Sequence, residues 1–245
     1  MTATTFRATA TEPDGGSGQP LGSARRRRWP RRVLVLALVL AILAAAGWLV
    51  GFSSILAVTQ VRVTNVHRIS PDRVREVAAV PLGVPLARQD VAAIDRRVSA
   101  IPQISSATVR REWPNSIKIT VVERKPLLGI LQPDGYAIVD RSGVVFETQP
   151  ILPKGVLRTD IDPDRVELLA EVATIVLAMP ASLKKKVARI GATSPSAVNV
   201  ILTNGVRVNW GTAADSVLKA QLVVTLLKRH PSMIDVSSPH NPAVR

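Results

Sequence analysis

Cysteine is absent from the chain, which excludes disulfides, thiolate metal sites and a cysteine nucleophile. The absence leaves the compartment open, because a sizeable extracytoplasmic domain folds without disulfides. Aromatic residues amount to only 3%, so the 47% of hydrophobic residues must build cores mainly from Val, Leu, Ile and Ala. Histidine is scarce: His67, His230 and His240 lie far apart, and none has a partner at metal-ligand spacing. There is no Gly-x-Ser-x-Gly, no Walker loop and no Gly-x-Gly-x-x-Gly. Asp160, Asp162 and Asp164 alternate near a helix start, but the Gly and distal Glu of a calcium loop are missing, so they read as solvated capping acids. No enzyme activity, metal or cofactor is therefore expected.

Acidic residues are also few, 18 against 32 Lys and Arg, for a net charge of +14. Such a balance calls for an anionic neighbour. Residues 1–32 hold seven Arg against Glu12 and Asp14, a surplus of five, and the rest of the chain holds the remaining nine.

One long run is wholly apolar. Residues 33–52, VLVLALVLAILAAAGWLVGF, contain no charge and no polar side chain. A helix of about 20 residues spans about 30 Å, the thickness of the hydrocarbon core. Arg25, Arg26, Arg27, Arg28, Arg31 and Arg32 precede it, and the next cation is Arg62. The excess of cations before the span places the N-terminus in the cytoplasm and the chain beyond residue 52 outside. A cleaved signal peptide is the rival reading, but its apolar region runs to about 7–15 residues. The tail 1–32, rich in Thr, Ala, Gly, Ser and Pro at its start, is expected to be disordered. Its Arg run reads as a topology determinant that touches anionic headgroups, not as a nucleic-acid site.

Beyond the span, Val58–Val66 alternates as a half-buried strand. Ser70-Pro71-Asp72 starts a helix with Val74, Val77 and Ala78 inside, ended by Pro81 and Gly83. Asp90 caps a second helix with Val91, Ile94, Val98 and Ile101 on one face. Strands at Ala107–Arg111 and Ile117–Glu123 flank a turn at Trp113-Pro114-Asn115-Ser116. This is a β-α-α-β-β unit over 58–125.

Pro126 opens a second region, 126–245. Asp134-Gly135 and Ser142-Gly143 are turns between apolar stretches at Leu127–Leu131, Tyr136–Val139 and Val144–Phe146, with Asp140 stabilising the second. The stretch holding Pro150, Pro153, Gly155 and Pro163 reads as loop. A helix is predicted over Pro163–Ala178, with Val166, Leu169, Val172, Ala173 and Val176 buried. Asn204-Gly205 predicts a type I′ hairpin between Ala197–Thr203 and Val206–Trp210. Thr212 and Asp215 resemble a capping box before a helix that runs to His230 and stops at Pro231. Ile234–Val236 reads as a last strand. The fold class is α+β: one N-terminal transmembrane helix, the small layered unit, and a mainly antiparallel β domain with two helices.

Three segments carry a family resemblance: VTQVRVTNVHRIS, IPQISSATVRREWPNSIKITVVERKPL and YAIVDRSGVVFE. The middle one is the most specific, with Arg124 and Pro126 closing the first unit. The chain from about residue 30 to 245 resembles the FtsQ/DivIB family of bacterial cell-division proteins. The resemblance implies a POTRA domain followed by the family's β domain, in a non-enzymatic, single-pass membrane protein enriched at the division septum. It implies small bitopic partners of the FtsB/FtsL type, further divisome partners, and a part in controlling septal peptidoglycan synthesis. The lipid bilayer is a partner through the span, and an anionic cell-wall polymer is a further candidate.

The family's terminal strand region corresponds here to Ile234, Asp235, Val236, Ser237, Ser238, His240, Asn241, Ala243 and Val244. Edge pairing there would supply affinity through main-chain hydrogen bonds and needs no particular side chains. Pro239 and Pro242 cannot donate to a ladder, and a frayed tail over Ser237–Val244 is the competing reading. Another POTRA-containing envelope assembly factor is the alternative function.

Overall fold

A computed structural model describes residues 29–245. The chain divides into two compact units, one ending at Leu49 and one covering Val50–Arg245. Helix α1 runs over Trp29–Phe52, starting before the expected span. Arg31 and Arg32 are exposed in its first turn. Arg25, Arg26, Arg27 and Arg28, and with them most of the basic tail, lie outside the described residues. Among the described residues, Arg31–Phe52 is the one helix long and apolar enough to cross a membrane, with a mean hydropathy of 2.9. None of that apolar window is buried within the protein. Apolar side chains exposed all round a helix are costly in water and at home in lipid.

The first part of the second unit is a three-stranded sheet with two helices. In chain order it comprises β1 (Gln60–Thr64), α2 (Pro71–Ala78), α3 (Val91–Ser99), β2 (Ile104–Glu112) and β3 (Ser116–Glu123). The strand order is β1-β3-β2, with β1 parallel and β2 antiparallel to the central β3. Both helix starts form as their sequences dictate. The Ser70 side chain accepts from the Asp72 amide, and the Asp90 carboxylate from the Ala93 amide at 2.9 Å. Val74 and Ala78 of α2 meet Ile94 and Val98 of α3 over Ile117, Ile119 and Val121 of β3. Burying each such branched side chain contributes about 1.5–3 kcal/mol. The end of α2 differs from expectation. Ala79, at φ 44, already closes it by donating to the Arg75 and Glu76 carbonyls, ahead of Pro81 and Gly83.

The remaining chain forms β4 (Leu128–Gln132), β5 (Gly135–Val139), β6 (Val145–Gln149), β7 (Leu157–Thr159), α4 (Val166–Ala178) and α5 (Ala181–Lys184). It continues with β8 (Val187–Ala192), β9 (Val198–Leu202), β10 (Arg207–Gly211), α6 (Ser216–Leu226), β11 (Met233–Asp235) and β12 (Ala243–Val244). All nine strands share one sheet, ordered β12-β11-β10-β9-β8-β7-β4-β5-β6. Leu168, Leu169, Val172, Ile175 and Val176 of α4 and Ala220 and Val223 of α6 cover it. Gly143, at φ +80, lies so close to the start of α4 that a Cβ there would stand 2.2 Å from the Val166 carbonyl oxygen. The turn after β5 is thus locked onto that helix.

Four local expectations are corrected. The Pro-rich stretch is not all loop, because β7 lies within it and pairs in parallel with β4 and β8. Helix α4 begins at Val166, not Pro163. Asp162 closes a separate turn first, accepting from Asp164 N at 2.9 Å and, through its carbonyl, from Arg165 N at 3.0 Å. That leaves Val166 exposed in the first turn. The β9–β10 turn is not type I′, since only Gly205 (φ +84) of the Asn-Gly pair takes positive φ. Gly205 N donates to Leu202 O at 3.0 Å and Leu202 N to Val206 O at 2.9 Å, so Gly205 relieves a longer loop.

The capping box at Thr212 and Asp215 does not form either. Asp215 adopts a left-handed conformation (φ 55) with no side-chain cap bond. The α6 start is held from below instead. Lys219, 1% exposed, donates to Thr212 O at 2.9 Å, and Trp210 Nε1 donates to Ser216 Oγ at 3.0 Å. Burial lowers the Lys219 pKa, with the Asp215 charge opposing the shift.

Candidate partner-binding edge and the domain junction

The C-terminal segment forms one edge of the nine-stranded sheet. Strand β11 pairs in parallel with β10 through Val208–Ile234 and antiparallel with β12 through Ile234–Val244 and Asp235–Ala243. Ile234 and Val236 point their side chains into the core, both 0% exposed. Asp235 is half-buried, while Ser237, Ser238, His240, Asn241, Ala243 and Val244 are exposed. The segment is therefore split: β11 anchors, and the residues after it are open to solvent.

Asp235 organises the turn away from β11. Its carboxylate accepts from Ser237 N at 2.9 Å, Ser237 Oγ at 2.7 Å and Asn209 Nδ2 at 2.9 Å. Burial alone would raise its pKa, but the bonds from Ser237 and Asn209 outweigh burial and hold it below the usual carboxylate range. The end of the chain then returns as β12. Arg245 N donates to Met233 O and Met233 N to Arg245 O, both at 3.0 Å.

That exchange marks Met233 and Arg245 as a hydrogen-bonded pair. Antiparallel ladders alternate, so Val244 is in the non-bonded position and turns its N–H and C=O to the outer side. Pro242, just before β12, has no N–H to offer. Of the two β12 residues, Val244 carries the outward donor. An unpaired strand edge of this kind is a template for another strand.

A second cluster joins the two sheets. Arg124 N donates to Gln103 O at 2.8 Å and its Nε to Pro102 O at 3.0 Å, both beside the three-stranded sheet. Its Nη1 reaches the part of the chain that builds the nine-stranded sheet, at Asp140 Oδ2 (2.6 Å) and Ser142 Oγ (3.2 Å). Asp140 Oδ1 meanwhile accepts from Ser142 N at 2.9 Å and Val144 N at 3.1 Å, the turn role expected for it. A parallel tie runs from Arg68 to Glu147 at 2.7 Å, and Glu123 accepts from the amides of His67, Arg68 and Ile69.

The cleft here is lined by Arg68, Arg73, Arg97 and Arg124 among others. Each guanidinium already has a partner: Glu147, Glu76, the Ala78 carbonyl and Asp140 respectively. Every one of these guanidinium groups is already engaged, so the cleft is not a built anion site. The motif ending in Glu123-Arg124-Lys125-Pro126 signals Arg124, but its ion-pair partner sits 16 residues on and is invisible to local pattern.

The junction should be acid-labile. Burial would raise the Asp140 pKa, yet bonds from Ser142, Arg124 and the Val144 amide lower it. Glu123 is likewise lowered by the three backbone amides against the effect of burial. A carboxylate whose folded pKa lies below its unfolded value, about 4, stabilises fully above that pH. The contribution is lost as pH falls through the folded pKa. Protease cleavage near Pro126 is expected to rise as pH drops below about 4, with little change between pH 5 and 8.

The chain is similar to known proteins along most of its length. A family model described as "POTRA domain, FtsQ-type" matches residues 56–124. Another, "Cell division protein FtsQ/DivIB, C-terminal", matches residues 129–237. A "Cell division protein FtsQ" from Streptomyces bingchenggensis is 34% identical over 235 residues, covering 90% of this chain and 89% of that protein. One from Mycolicibacterium smegmatis is 35% identical over 217 residues, covering 87% of this chain and 65% of that protein. A solved structure, the major extracytoplasmic domain of the trans isomer of DivIB from Geobacillus stearothermophilus, is 18% identical. It covers 44% of this chain and 97% of that one with a TM-score of 0.33, too distant to carry a structural argument.

Proposed function

This chain belongs to the FtsQ/DivIB family of cell-division proteins, and from that premise we propose that it is a bitopic, non-enzymatic divisome scaffold. Its N-terminus faces the cytoplasm, α1 crosses the membrane, and domains at 58–125 and 126–245 stand outside, enriched at the septum. Small bitopic partners of the FtsB/FtsL type add a strand to the β12 edge, and through them the protein helps control septal peptidoglycan synthesis. The observation that supports this reading is the outward Val244 amide at a solvent-exposed sheet edge. Strand addition draws its affinity from such main-chain groups.

Each main-chain hydrogen bond contributes about 0.5–1.5 kcal/mol net, and about 1.4 kcal/mol is tenfold in affinity. Val244→Pro removes the outward donor and leaves the Arg245–Met233 bonds in place. Co-purification of the full chain with an FtsB/FtsL-type partner is expected to weaken about tenfold with Val244→Pro. It should be lost when residues 238–245 are removed. Undiminished capture by both variants would dispose of the edge-pairing reading. Even distribution of a fluorescent fusion around the envelope, instead of septal bands, would favour a general envelope assembly factor.

A further inference from the structure

We infer that the end of the first domain where β1 begins is a lipid-contacting tip, with Ile55, Leu82 and Trp113 seated at the headgroup–acyl boundary. The inference rests on the membrane-anchoring part of the proposed function and adds a second contact to it.

Three segments converge at this end. Val58 N donates to Val84 O and Gly83 N to Val58 O, both at 3.0 Å, while Thr59 N donates to Asn115 O at 2.9 Å. Ala57 also bridges to Pro85. The strand entry, the loop after α2 and the β2–β3 turn are thereby zipped into one surface. Beneath it Val58, Leu86 and Ile117 are fully buried, so the local core is complete. Ile55, Leu82 and Trp113 nevertheless remain 77%, 62% and 52% exposed. Single exposed apolar residues are ordinary, but three converging at one end call for an apolar occupant.

Covalent continuity identifies that occupant. Ile55 follows Phe52, the last residue of α1, by three positions. Three residues of extended chain reach at most about 11 Å. Once α1 spans the bilayer, Ile55 cannot leave the interfacial zone, and the backbone ties bring Leu82 and Trp113 with it. The chemistry agrees. Trp favours this boundary, where its ring is half in lipid and its N–H in water. Residues 53–59, 81–89 and 113–115 contain no acid. Arg88 lies over the Phe52 ring at 5.2 Å, and Arg111 clasps Leu86 O and Gln89 O at 2.9 and 2.6 Å. The bordering acids are engaged, Glu112 with Arg62 at 3.1 Å and Asp90 in capping α3, which leaves Arg88 to suit anionic headgroups.

The chain has no cysteine, so single probes can be placed without background. Leu82→Cys, Trp113→Cys and, as a solvent control, Ile151→Cys (native Ile151 is 77% exposed) would each carry an environment-sensitive fluorophore. The full chain is reconstituted in phosphatidylethanolamine–phosphatidylglycerol vesicles. Quenching by lipids spin-labelled near the headgroup is expected to be severalfold stronger at 82 and 113 than at 151. Equal quenching at all three sites, with the protein resistant to alkaline carbonate extraction, would overturn the tip and leave the anchor standing. Probes at 82 and 113 shielded from both aqueous and lipid quenchers would mean that protein covers the tip, which also overturns it. Extraction by carbonate would show that α1 does not span, and both readings would fall.

Discussion

Asp140→Ala is expected to destabilise the region that follows α1 by about 3–5 kcal/mol, the cost typical of breaking a buried ion pair from one side. Asp140 and Arg124 are 3% and 18% exposed at their side chains. Without the carboxylate, the Arg124 guanidinium keeps its place beside Pro102 O but loses its counter-charge. The Ser142 and Val144 amides lose their acceptor at the same time. Because Arg124 touches both domains, the loss falls on their coupling as well as on the turn. Thermal unfolding of the full chain in detergent should separate into two transitions. Asp140→Asn keeps an acceptor for the turn and should fall between wild type and Ala. An unshifted, single transition for Asp140→Ala would mean that the clamp does not couple the domains.

Trp210→Ala is the other large effect, again about 3–5 kcal/mol, from lost burial together with a residual cavity. Trp210 is 0% exposed within the core formed by the nine-stranded sheet and its helices. Its Nε1 donates to Ser216 Oγ, which in turn donates to Ala213 O at 2.8 Å. The ring therefore fills the core and also ties down the irregular start of α6. Domains of this size are stable by only about 5–15 kcal/mol, so the β domain should become marginal. Trp210→Phe keeps most of the volume and gives up the hydrogen bond, so a loss of about 1–2 kcal/mol is expected. Trp113→Ala, at a half-exposed position, should stay within about 0.5 kcal/mol of wild type. Chemical denaturation followed by tryptophan emission and circular dichroism distinguishes the three. A Trp210→Ala loss no greater than that of Trp113→Ala would contradict the packing described.

Much of this molecule is written locally. The twenty-residue apolar run, the Ser70 and Asp90 caps, and the alternation Ile117, Ile119, Val121 each act within a few residues. Period and capping chemistry therefore decide them alone. The same holds for the family resemblance, carried by contiguous segments. Strand β7 was not legible, because its three residues between proline-bearing loops become a strand only by pairing with Leu128–Ile130 and Ile190. Strand β8 gave no clear alternation for the same reason: its partners, not its pattern, make it a strand. The capping box does not form, and bonds from the buried Lys219 and Trp210 hold that turn from the core side instead.

At the candidate edge, the sequence placed a strand at Ile234–Val236. Only the fold decided that β12 would return beside it and turn the Val244 amide outward. It likewise decided that Arg124 would find Asp140. What one segment can settle with its own hydrogen bonds and periodicity, the sequence determined. Pairings between distant segments depend on how the whole chain closes, and those the tertiary structure decided.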